Sequence, residues 1–120
     1  MPVKALGLVK DLLFRSKLEA SATATGIEIV YASDLDSAAR RCVEIKPAVV
    51  FADLSESAFP PGATASAIRT AAPDARLIGF ASHVDVKSLK AARDAGFDAA
   101  LSRSELTSRL GELLRAQSAE

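Results

Sequence analysis

The chain has 120 residues, enough for one ordinary domain and too few for two. Fifteen acidic and fifteen basic side chains balance without clustering, so bulk charge gives no reason to expect nucleic acid or an anionic membrane as a partner. A single cysteine, Cys42, excludes an internal disulfide and a thiolate metal cage, and no apolar run approaches membrane-spanning length.

Val3 to Val9 is a compact apolar run and reads as a first strand, so that Met1-Pro2 leads into a strand and not into a signal peptide. Asp11 can cap the helix that follows, whose Phe14, Leu18, Ala22 and Thr25 share a face and whose natural stop is Gly26. Ile27 to Ala32 is β-branched and partly alternating, as in a strand near a sheet edge. Ser33-Asp34 offers a capping oxygen to a second helix, with Leu35, Ala38, Ala39, Cys42 and Val43 on its apolar stripe.

Ala48-Val49-Val50-Phe51-Ala52-Asp53 is apolar at every position until it ends in an acid. Such a strand is covered on both faces, the pattern of a parallel sheet between helices. A loop rich in Ser and Pro leads to a short alanine-rich helix over 63–72, closed by Pro73-Asp74. Arg76 to Phe80 is a fourth strand and Val86 to Ala95 a helix ended by Gly96. Ala99-Ala100-Leu101 is a minimal fifth strand, and Ser104 can cap a last helix carrying Leu106, Leu110, Leu113 and Leu114.

Five strand–helix repeats predict an α/β flavodoxin-like three-layer sandwich, with a parallel sheet in the order 2-1-3-4-5. The crevice then opens between the first and third strands, beyond their carboxyl ends, with Asp11 and Asp53 on either side. The same rim gathers Lys10, Ser82, His83 and Arg103. No glycine-rich nucleotide motif is present, and no Ser or Cys pairs with His83, the sole histidine, and a third orienting group. These absences argue against an enzyme and predict a cytoplasmic protein acting through contacts.

An acid after the first strand, an acid closing the third, a small residue closing the fourth and a base closing the fifth together resemble the receiver domain of response regulators, CheY-like, over essentially the whole chain. The Ala95-Gly96-Phe97-Asp98-Ala99 passage is similar to the family's segment before its lysine. The resemblance implies phosphorelay signalling in a two-component system. Asp53 would accept a phosphoryl group from a histidine kinase or another signalling protein, with Mg²⁺ held by Asp53 and Asp11. It also implies a homodimer face on the fourth helix, fifth strand and last helix.

Several positions depart from the family pattern. Lys10-Asp11 stands where two adjacent acids are usual, Ala81 where a Thr or Ser is usual (with Ser82 one place late), and Arg103 where the lysine is usual. Ser57 occupies the place of a proline found after the phosphoacceptor. Loss of one carboxylate to Lys10 makes Mg²⁺ binding weak. Two alternatives therefore accompany the phosphoacceptor reading. One is a phosphorylation-independent pseudo-receiver, in which Lys10 neutralises Asp53. The other is a binder of a small anion or small molecule in the crevice, through Arg103, His83 and Ser82.

Overall fold

The computed structural model describes residues 3–118. Its elements run β1 (Lys4–Leu8), α1 (Leu12–Thr25), β2 (Glu28–Tyr31), α2 (Leu35–Ile45) and β3 (Val49–Asp53). They continue as α3 (Pro61–Ala71), β4 (Arg76–Ala81), α4 (Val86–Ala95), β5 (Ala99–Ser102) and α5 (Arg103–Ser118). All four strand pairings are parallel and the sheet order is β2-β1-β3-β4-β5, the expected flavodoxin-like topology. The order places β2 at an edge, where its mixed pattern belongs.

Alternation along the central strand divides the core. Val49 and Phe51 face α1 and α5, where they join Phe14, Leu18, Leu106, Leu110 and Leu114. Val50 and Ala52 face the opposite side, with Ala38, Cys42, Ile68, Leu89 and Ala92 of α2, α3 and α4. Every β3 residue is buried, because helices cover both faces of the sheet. The side chain of Phe97 lies so close over Gly79 of β4 that a Cβ there would stand 2.9 Å from its ring.

Three local expectations change. The last helix is capped by Ser102, not Ser104: Glu105 N–H donates to Ser102 Oγ at 3.1 Å, and Ser102 N–H donates to Glu105 Oε1 at 3.2 Å. This reciprocal capping box starts the helix at Arg103, two residues earlier than expected. The third helix begins at Pro61, whose fixed φ suits a first helical position where no N–H is needed. Val43, expected on the buried stripe of α2, is instead 67% exposed. On that helix Ala38 and Cys42 take the core-facing row, and Val43, the next residue along, turns outward.

Candidate functional site

Asp53 ends β3 in register with Phe80 of β4, and only 1% of its surface is exposed. Its Oδ1 accepts the Ser55 N–H at 3.0 Å and the Ser55 hydroxyl at 2.6 Å. A carboxylate bonding the backbone two residues ahead forms an Asx turn, which here carries the chain out of the strand. The same Oδ1 lies 3.4 Å from the Nη2 of Arg103.

The capping box at Ser102 puts Arg103 at the first position of α5 and sends its side chain across the rim. Its guanidinium also lies 3.9 Å from Asp11 Oδ2 and donates to Ser55 Oγ at 3.2 Å. Phe14 and Phe80 stack at a centroid separation of 4.6 Å, and the guanidinium carbon sits 5.6 and 5.3 Å from their centroids. Arg103 is thus the joint counter-ion of both rim acids, resting on an aromatic platform. A planar fork of donors suits that double role; a lysine ammonium lacks its shape. Asp11 keeps its capping function as well, Oδ1 accepting Leu13 N–H at 2.9 Å and Phe14 N–H at 3.4 Å.

The other rim candidates stand apart. Lys10 is exposed and, among the described residues, forms no ion pair with Asp53; the neutralising cation is Arg103. The reach of α5 across the rim explains the exchange, since it occupies the space beside Asp53 that Lys10 was expected to fill. Bonds from Ser37 hold the Asp34 carboxyl below its usual value, and the charge of Lys10 adds to that. Ala81 is fully buried, whereas Ser82 and His83 are exposed, and Ser82 Oγ accepts only a long 3.4 Å contact from Val84 N–H. Ser82 and His83 make no described bond to Asp53 or Arg103.

Arg15, one turn along from Asp11, bonds Val9 O through Nε and lies 4.6 Å over the Tyr31 ring. Burial, first of all, pushes the Tyr31 hydroxyl pKa well above its ordinary value. Ser55, Phe14 and Phe80 were not legible as site residues. Ser55 carried a faint signal, a hydroxyl two residues after a strand-end acid; the aromatics read only as core.

Mg²⁺ takes six oxygens in a near-octahedral shell, several of them from water, and the rim offers two carboxylates, each with one oxygen engaged in backbone N–H bonds. The obstacle to a divalent cation is the positive charge that already stands there. A guanidinium bridges the two carboxylates, and among the described residues no group of three metal-capable side chains exists. No helix among the described residues is long and apolar enough to cross a membrane.

No protein-family model matches the sequence, and no curated protein matches it either. Solved structures do. A response regulator from Thermotoga maritima aligns over 100% of both chains with TM-score 0.79 and 15% identity. The receiver domain of a sensor histidine kinase from Pseudomonas aeruginosa, which has a magnesium ion coordinated in its active-site cleft, aligns over 100% of both with TM-score 0.81 and 13% identity. A CheY-like protein, TadZ, from the same organism has TM-score 0.77 and 20% identity over 96% of this chain and 98% of its own. At such identities these likenesses establish a fold: that of CheY-like receiver domains.

Proposed function

We propose that this receiver-fold chain is a signalling module of the pseudo-receiver kind. It acts through contacts with other proteins and not by turnover, and its acid site is neutralised internally. One observation carries the reading: the Arg103 guanidinium stands between Asp53 and Asp11, on a platform of two stacked rings. A receiver that works by phosphorylation needs that space for a metal ion and an incoming phosphoryl group, both of which neutralise or add charge at the acid. Here the compensating cation belongs to the chain itself. Asp53 then serves as the fixed anchor that joins the start of α5 to the end of β3.

The phosphoacceptor reading retains one specific support. All three side-chain bonds to Asp53 fall on Oδ1, so they leave Oδ2 as the oxygen that could form an acyl phosphate. The test is exposure of the protein to a small phosphoryl donor, or to beryllofluoride, with and without Mg²⁺, read by intact mass and by amide chemical shifts. The pseudo-receiver reading expects no phosphorylated species and no shift changes around Asp53. Mg²⁺-dependent labelling that disappears in Asp53→Asn would overturn it and establish the phosphoacceptor. Histidine kinases and other phosphorelay proteins are the natural partners to screen in either case.

A further inference from the structure

The described residues include five large apolar side chains left exposed: Leu12, Leu13, Val43, Val84 and Val86. Four of them flank the carboxyl edge of the sheet, just after β1 and β4. Val43 does not. It projects from α2 beside a shallow groove of about 620 Å³ between α2 and α3, lined by Ala39, Arg40, Val43, Glu44, Thr70 and Ala71. A second hollow, on the other side of Ala71, continues it toward Cys42 and Pro73. The helix across the groove, α3, has no acidic residue and a single basic one, Arg69, so its side of the hollow has small walls and little charge, and the charged groups of the lining belong to α2.

We infer that this face binds a second copy of the chain, α2 against α2, about a twofold axis. A knob and a hole lie side by side on the same patch: Val43 projects, and Ala39, Thr70 and Ala71 leave the space it would fill. A twofold axis brings the knob of each copy into the hole of the other, as an isologous interface requires. The charges follow the same symmetry. Arg40 and Glu44 line the groove one helical turn apart, with opposite signs. In an antiparallel α2 pair, Arg40 of each copy meets Glu44 of the other, giving two reciprocal ion pairs around a central apolar contact. Glu44 is free to do so, since its pair with Arg41 is long at 3.9 Å and its side chain is 60% exposed.

Self-complementarity selects the occupant. An acidic or a basic peptide would pair one of the two charges and confront the other. A flat apolar ligand would meet the projecting Val43. The surface of α4, by contrast, carries a lysine–aspartate pair, Lys90 to Asp94 at 2.8 Å, and its exposed valine, Val86, stands at the first residue of the helix, at the carboxyl edge of the sheet. The inference is independent of the chemistry at Asp53, which lies at the carboxyl edge of the sheet.

Sedimentation of the whole chain over about 1 μM to 1 mM tests it. The wild type is expected to dimerise within that range, and Val43→Glu to stay monomeric with an unchanged circular dichroism spectrum. Arg40→Glu places like charges opposite one another and should weaken the dimer at least tenfold. The double exchange Arg40→Glu/Glu44→Arg should restore it. Mixing the Arg40→Glu and Glu44→Arg single variants should give a heterodimer tighter than either homodimer. A wild type monomeric throughout overturns the proposal. So does a dimer indifferent to these changes, or one lost instead on substitution of Lys90 or Asp94.

Discussion

Arg103 draws its position from groups far apart in the chain, and its value as a counter-ion rests on shape as much as on charge. Its ion pairs are partly solvated and worth about 1 kcal/mol or less, while guanidinium over aromatic faces adds about 0.5–1 kcal/mol. A lysine keeps the charge and loses both the stacking and the fork that reaches two carboxylates. Arg103→Lys is therefore expected to destabilise the fold by about 1 kcal/mol, and Arg103→Ala by more, since it also leaves the buried Asp53 without a counter-ion, as read from urea midpoints at constant slope. A lysine variant as stable as the wild type would show that charge alone suffices. Gly79 illustrates a different constraint. Phe97, itself buried, leaves no space for a methyl group on β4, so Gly79→Ala is expected to cost about 1–3 kcal/mol through overpacking. In a Phe97→Leu background the same substitution should cost less, which denaturant titration of the double-mutant cycle would show.

Between elements, the amino edge of the sheet has its own clasp, opposite the acid site. Arg69 of α3 donates to Ala75 O at 2.8 Å and Gly96 O at 3.1 Å, and pairs with Asp98 Oδ2 at 2.9 Å. Asp98 also accepts Leu77 N–H at 2.8 Å, so one carboxylate ties β4, α3 and the entry to β5. Partial burial pushes the Asp98 carboxyl upward, but the Leu77 bond and the Arg69 guanidinium outweigh it and hold it below its usual value. A carboxyl that protonates less readily folded than unfolded stabilises the protein above its unfolded pKa, near 3.9. That contribution disappears as pH falls through the lower folded value. The stability gap between wild type and Asp98→Asn should accordingly be present at pH 7 and shrink by pH 3, measured by urea unfolding at both. A gap that stays constant would remove ionisation of Asp98 from the account.

At the scale of the whole molecule, the two apolar layers are separate clusters that share one sheet. β3 contributes alternate residues to each, so neither layer can open without exposing a strand the other needs. Ile68→Ala on one side and Leu110→Ala on the other should each cost about 2–5 kcal/mol. Both should move a single cooperative transition by heat and by denaturant, with coincident near- and far-ultraviolet signals. Separate transitions in either variant would mean that the layers fold independently.

The repeating alternation of strand and helix, the central fully apolar strand and the caps at Asp11 and Asp34 were all legible in the sequence. They depend on local periodicity and on side-chain oxygens bonding backbone a few residues away. Parallel order followed from those elements, because right-handed crossovers leave few arrangements. The last cap and the exposure of Val43 were harder. Both turn on a shift of one or two residues, enough on a helix to rotate a side chain from core to solvent. The wiring of the acid site was not local at all. Lys10 adjoins Asp11 in sequence and Arg103 stands fifty residues from Asp53, yet Arg103 neutralises both acids. Local periodicity and caps set which elements form and which edge of the sheet collects the charges. Which cation serves which acid is settled by packing, because ion pairing depends on distances of a few ångströms between side chains that folding alone brings together.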